Sequence, residues 1–171
     1  MKITKSELKS MIREALREEL KTTSLTEAAG DTTTYVVYTD TAGSDVFEIF
    51  YVGTNLSSAK SLYKKELISY LGYGPDDSTS LRLIKANIPS SDVKVLNAAI
   101  GQDSPADAYD ILRKLWKDPT HEEVLTHGGI DEFLEYVCDL YGCDFEDANN
   151  MLMGNDVLQT KLIKKYIRDN Y

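Results

Sequence analysis

The histidines and cysteines are the side chains whose types and spacing first suggest chemistry. The chain has two of each, and all four lie within residues 121–143 as H-x5-H-x10-C-x4-C, at His121, His127, Cys138 and Cys143. Four nitrogen and sulfur ligands can close a tetrahedral zinc site. The spacing matches no common zinc finger, and Cys138 falls on the apolar face of a predicted helix, where a small buried side chain is the ordinary outcome. We therefore expect no metal and no other cofactor, and these four residues are the zinc candidate to be checked.

The usual catalytic motifs are missing from the sequence. It contains no G-x-S-x-G, no phosphate-binding P-loop and no G-x-G-x-x-G, and His121 followed by two glutamates lacks the second histidine of H-E-x-x-H. The carboxylates close to the two cysteines disfavour a thiolate, so a nucleophilic cysteine is not expected either. The sequence predicts a protein without enzymatic activity.

Residues 118–160 carry the most unusual charge pattern, with eleven aspartates and glutamates and no lysine or arginine. One interpretation is a solvated surface without a partner. The other is an acidic face for a basic protein partner, formed by Glu122, Glu123, Glu132, Glu135, Asp139, Asp144, Glu146 and Asp147. Direct nucleic-acid binding is not expected, because residues 28–171 hold 13 Lys and Arg against 23 Asp and Glu, and this excess of negative charge repels phosphate.

The elements that position these residues begin with a small sheet. Residues 33–39 and 46–52 are rich in β-branched and aromatic side chains and are separated by a turn-forming cluster, which predicts a β-hairpin. A helix over about 56–70, ended by Gly72, and a strand over 81–88 follow. The unit is ββαβ, with the third strand beside the hairpin.

Beyond Pro89 the pattern is helical. We predict a helix capped by Ser104 with Pro105 at its first helical position, a short turn near 121–126, and further helices over about 131–141, 145–153 and 156–169. The predicted fold class is α+β, a small antiparallel sheet followed by a helical C-terminal half of about four to five helices. With 171 residues and 42% hydrophobic content, the chain is long enough for one such domain, which we place at 33–171 and expect to be acidic.

No apolar run approaches the ~20 residues that a membrane-spanning helix needs, and no secretory signal is recognisable, so we expect no membrane partner. Two cysteines are too few for a disulfide framework, which fits a reducing compartment.

The N-terminal residues 1–23 have a different character. Their apolar side chains recur with the period of an amphipathic helix, and four basic side chains follow at i+4 steps on one flank. We interpret this segment as a docking helix with an apolar seam, Leu8, Met11, Ile12, Leu16 and Leu20, and a basic stripe, Lys5, Lys9, Arg13 and Arg17. A helix that packs on the domain's own core is the alternative.

Residues 24–32 separate this helix from the first predicted strand. They are mostly Thr, Ser, Ala and Gly, which is typical of a flexible linker. The pattern Ser24-x-x-Glu27 also has the form of a helix capping box, although no apolar-periodic segment follows it directly.

The stretch MKITKSELKSMIREALREEL resembles the short Lys-rich N-terminal helix, with its seam of Leu and Ile, that opens many proteins of tailed bacteriophages, especially marine relatives of the T4-like group. The resemblance implies a targeting segment of virion or internal capsid proteins. In that group the prohead protease cuts after a Glu in a Leu/Ile-x-Glu context, before a small residue, and Leu25, Thr26, Glu27 and Ala28 look like such a site. The resemblance covers about thirty residues and does not extend to the globular part.

These observations predict a virion-associated structural or capsid-packaged bacteriophage protein. Its partner would be a capsid or scaffold protein bound through the N-terminal helix, and its location the virion or the host cytoplasm during infection. The alternative is an acidic inhibitor of a host defence or nucleic-acid-binding protein, acting through the carboxylates of 118–160.

Overall fold

The computed structural model describes residues 32–72, 79–102 and 105–171. The predicted docking helix, the cleavage site and most of the predicted linker lie outside these residues. The part that is described belongs to one unit, Asp31–Tyr171. No helix in these three ranges is both long and apolar enough to cross a bilayer.

A four-stranded antiparallel sheet forms the centre of the domain. Its strands are β1 (Thr32–Thr41), β2 (Phe47–Gly53), β3 (Thr79–Ile88) and β4 (Glu122–His127), in the order β2-β1-β3-β4. The sheet therefore places the predicted hairpin at one side and the start of the acidic segment at the other edge.

Six helices cover the two faces of the sheet. They are α1 (Leu56–Gly72), α2 (Ser90–Ala98), α3 (Ala106–Lys117), α4 (Asp131–Tyr141), α5 (Phe145–Leu152) and α6 (Asp156–Asn170). Successive strand residues point to opposite faces, so Val37 enters one core while Val36 and Tyr38 enter the other. The first core also contains buried side chains of α1, α4, α5 and α6, and the second contains those of α2 and α3. The domain is thus a three-layer sandwich.

The predicted fold class is confirmed, and most elements lie within two residues of their predicted bounds. Helix α4 has the predicted range, and it ends at Gly142, which adopts the left-handed conformation with φ of 64°. The five helices after β3 form the predicted helical half. Helix α3 begins at Ala106 with Pro105 as its N-cap, and Ser104 is outside the described residues.

One element was predicted wrongly. The segment predicted as a turn near 121–126 is strand β4, which pairs with β3 at the sheet edge. Its register shifts between Leu83 and Ile84, so that Val124 is the extra residue of a bulge opposite them. Val124 and Leu125 are consecutive apolar residues, and the bulge accommodates the extra one. The segment therefore lacks the alternation of apolar and polar residues by which a strand is recognised.

Candidate functional site

The predicted acidic face is divided among three elements. Glu122 and Glu123 lie on β4, where they face cations of β3: Lys85 Nζ is 2.8 Å from a Glu122 carboxylate oxygen, and the Arg82 guanidinium contacts Glu123. Arg82 Nε also donates to Asp40 Oδ1 at 2.9 Å. These two glutamates therefore serve cross-strand pairing and contribute little unneutralised charge.

Glu132, Glu135 and Asp139 lie on α4 with i, i+3, i+7 spacing, and all three are exposed. They form one continuous stripe on the helix surface, which we call the α4 acidic stripe. Glu135 and Asp139 form no side-chain hydrogen bond or ion pair with any residue that the structure describes. This stripe is the part of the predicted face that remains open to a partner.

The remaining three carboxylates lie at the start of α5. Asp144 is the N-cap, and its Oδ1 accepts a hydrogen bond of 2.9 Å from the backbone N–H of Asp147. Glu146 and Asp147 stand in the first turn and are exposed, where their charge favours the positive end of the helix dipole. Asp144 thus has a structural task, whereas Glu146 and Asp147 are available at the surface.

The structure does not gather the four residues of the zinc candidate into one site. His121 Nδ1 lies 2.6 Å from the carbonyl oxygen of Asp118, and His127 is buried among tyrosines. Cys138 and Cys143 are half-buried neighbours, and burial together with Cys143 raises the pKa of the Cys138 thiol. Across the described parts of the chain, no three His, Cys, Asp or Glu side chains are grouped so that they could hold a metal ion.

His127 is the centre of an aromatic cluster that the sequence pattern does not reveal. Its side chain is fully buried, and its Nε2 lies 3.1 Å from the hydroxyl of Tyr166. The rings of Tyr70 and Tyr166 meet the imidazole edge-on, at centroid distances of 6.0 and 5.7 Å, and that of Tyr171 lies 6.5 Å away. Burial lowers the pKa of His127 to about 4, so the ring is neutral at pH 7.

The Nδ1 atom of His127 has no hydrogen-bond partner among the residues that are described. Either tautomer leaves this nitrogen unpaired, since Nε2 alone faces Tyr166. Tyr70 closes the cluster, because its hydroxyl donates to the carbonyl of Thr79 and accepts from the backbone N–H of Gly129. The cluster joins β4 to α1, α6 and the start of β3, which is a structural role.

A cavity of about 410 Å³ opens between α1 and the neighbouring face of the sheet. Polar side chains line it, among them Glu48, Glu66, Ser69 and Tyr70. Neither histidine and neither cysteine contributes to its lining. The cavity therefore does not unite the candidate nucleophiles and bases of the chain.

No protein-family model, curated protein or solved structure matches this chain. Its function is therefore inferred from its own residues.

Proposed function

We propose that this protein is a non-enzymatic component of a tailed-bacteriophage particle. Residues 1–23 bind the capsid or scaffold, and cleavage between Glu27 and Ala28 leaves the acidic domain as the mature part. The motif in the first thirty residues is the observation that carries this proposal.

The position where the folded domain begins supports the proposed cleavage after Glu27. Both hydrophobic cores draw their buried side chains from between Val36 and Ile167. The first described strand begins at Thr32, four residues after Ala28. A cut after Glu27 therefore removes none of these core side chains and none of the four strands.

The environments of the titratable side chains support the proposal that the protein is not an enzyme. His127 is held by Tyr166 and is neutral, His121 contacts the Asp118 carbonyl, and the Cys138 thiol has a raised pKa. A general base needs access to a substrate proton, and a nucleophilic cysteine needs a lowered pKa. His127 lacks this access because it is fully buried, and the Cys138 thiol lacks a lowered pKa.

The incorporation of variants into particles tests the proposal. Cells infected with the phage would express the full chain, Ile12→Asp/Leu16→Asp on the predicted seam, or the control Ser10→Asp/Glu14→Asp on the opposite side of the same helix. We expect the seam variant to be at least tenfold depleted from purified particles, because a carboxylate in an apolar seam cannot be buried without a partner. The control should be incorporated like the full chain. Equal incorporation of all three would contradict the proposal.

A second candidate function rests on the α4 acidic stripe. Its exposed carboxylates favour an inhibitor that occupies the basic site of a nucleic-acid-binding protein. The test is the release of host proteins from a DNA column by this protein. Reversal of the stripe, Glu132→Lys/Glu135→Lys/Asp139→Lys, should abolish release.

The matched control for this test is Asp92→Lys/Asp107→Lys/Asp110→Lys. It makes the same charge change on α2 and α3, which cover the other face of the sheet. Association should also weaken with added salt, because exposed charges are screened beyond ~8 Å at physiological ionic strength. If the variant with the reversed stripe still releases host proteins from the DNA column, the α4 acidic stripe is a solvated surface without a partner.

A further inference from the structure

A groove of about 560 Å³ lies between the C-terminal end of α4 and the second half of α6. Leu140 and Tyr141 form its apolar side, and they are 41% and 51% exposed. Its other side is cationic and consists of Lys161, Lys164, Lys165 and Arg168. We call it the α4–α6 groove.

The groove concentrates positive charge on a domain that is otherwise acidic. These four cations are among only 13 lysines and arginines in residues 28–171. Lys165 and Arg168 share one carboxylate, Asp169, at 2.9 and 3.1 Å, and the hydrogen bond from Lys165 is the main cause that lowers the pKa of Asp169 to about 2. Lys161 and Lys164 are exposed and have no side-chain hydrogen bond or ion pair within the described ranges. The groove therefore retains a net positive charge.

A segment of complementary charge follows α4 along the chain. Helix α5 begins at Phe145, four residues after Tyr141, and Phe145 at 44% exposure is followed by the open carboxylates Glu146 and Asp147. Exposed Leu140 and Tyr141 thus lie beside cations of α6, whereas exposed Phe145 is followed by carboxylates of α5. Exposed apolar groups within a polar rim are typical of an interaction surface.

We propose that the α4–α6 groove binds a second copy of this chain in a two-fold symmetric dimer. The start of α5 of each copy, Phe145 with Glu146 and Asp147, lies against the groove of the other copy. A two-fold axis makes every contact twice, so the surface must be complementary to itself. Each copy offers a cationic groove with exposed apolar side chains and an acidic helix start with an exposed phenyl ring, and such a pair of surfaces meets this requirement. A nucleic acid is disfavoured as the occupant because the excess of negative charge on the remainder of the domain repels phosphate.

Sedimentation velocity of the full chain between 1 and 200 µM tests the dimer with two charge-reversed variants. Lys161→Glu/Lys164→Glu makes the groove acidic, and Glu146→Lys/Asp147→Lys makes the start of α5 basic. Each variant alone should dimerise at least tenfold more weakly than the natural chain in 50 mM salt, since the symmetry applies each like-charge contact twice. Mixed in equal amounts, the two should recover a heterodimer. The reversed groove then faces the reversed helix start in one contact, and the natural groove faces the natural helix start in the other, so both contacts join opposite charges.

The matched control is Lys114→Glu/Lys117→Glu. It has the same residue types and i, i+3 spacing on α3, which packs in the other core, and it should dimerise like the natural chain. Phe145→Ser removes the exposed phenyl ring at the start of α5 without a change of charge and should also weaken the dimer. Circular dichroism checks that every variant is folded.

A natural chain that stays monomeric at 200 µM in 50 mM salt would overturn the proposal. So would a dimer that the two charge variants leave unchanged, or a mixture of folded variants that does not recover association.

Discussion

The buried imidazole of His127 makes the stability of this domain depend on pH in a predictable direction. Its pKa is about 4 in the folded protein, against about 6.5 for an exposed histidine. The unfolded chain therefore binds a proton at a higher pH than the folded chain does. The contribution to stability is complete above pH 6.5 and is lost as the pH falls from 6.5 toward 4. Between pH 7 and pH 5 the free energy of unfolding should fall by about 2 kcal/mol from this group alone.

Charged and titratable neighbours of the ring modify this expectation only slightly. The Glu132 carboxylate lies 3.8 Å from Nε2 and favours the imidazolium, but its side chain is 54% exposed and its charge is screened by solvent. Burial raises the pKa values of Tyr166 and Tyr171, so both stay neutral throughout this pH range. Asp169, with its lowered pKa of about 2, contributes stability that is lost mainly as the pH falls below 4. The interval from pH 7 to 5 therefore isolates the histidine.

Urea unfolding of the natural chain, His127→Phe and His121→Asn at pH 7 and pH 5 measures the effect. From pH 7 to pH 5 the free energy of unfolding should fall by about 2 kcal/mol more for the natural chain and for His121→Asn than for His127→Phe. His121 is the matched control because it is the other histidine of the chain, directly precedes β4 and is only half-buried. A natural chain whose stability changes no more than that of His127→Phe would refute the assignment of a buried neutral ring.

Three further predictions concern the frame of the domain. Leu83→Ala should lower the free energy of unfolding by about 3 kcal/mol in urea titrations, because it opens a cavity at a fully buried position of the central sheet; an unchanged midpoint would contradict this packing. Asn155→Ala should cost about 1 kcal/mol, because the Asn155 side chain accepts from the backbone N–H of Leu158 as the N-cap of α6, whereas Asn150→Ala inside α5 should cost nothing measurable. Deletion of 1–27 should shift the thermal midpoint by less than about 2 °C, which corresponds to less than about 1 kcal/mol for a domain of this size; a larger loss would place the segment within the fold.

Local sequence signals were sufficient for the hairpin and for the terminal helices. The turn cluster after Thr41 and the β-branched runs on either side of it specify β1 and β2 without any distant partner. Helices α4 to α6 show clear apolar periodicity, and their glycine and asparagine boundaries mark where they end and begin.

Strand β4 needed information that lies elsewhere in the chain. Its two glutamates are stabilised on an edge strand by Lys85 and Arg82, which precede them by about forty residues. No pattern within 122–127 records these partners, and the bulge at Val124 conceals the alternation. Pairing of this kind is specified by tertiary context more than by local propensity.

The role of His127 was hidden for the same reason. Its nearest histidine and cysteines in the sequence suggest a metal site, but its neighbours in the fold are Tyr70 and Tyr166, which are distant along the chain. The high tyrosine content was visible in the sequence, and its convergence on one histidine was not. Residue types alone could not distinguish a ligand from a packed core histidine.

The mass of the protein in purified virions tests the central claim most directly. If residues 1–27 direct the chain to the particle and are then removed, intact-mass spectrometry should find one species that begins at Ala28 and ends at Tyr171. Glu27→Gln should leave the uncut chain in its place, because it keeps the side-chain size and removes the charge at the cleavage position. Particles without peptides from 31–171 would contradict the proposed location, and natural protein that retains Met1 would contradict the cleavage.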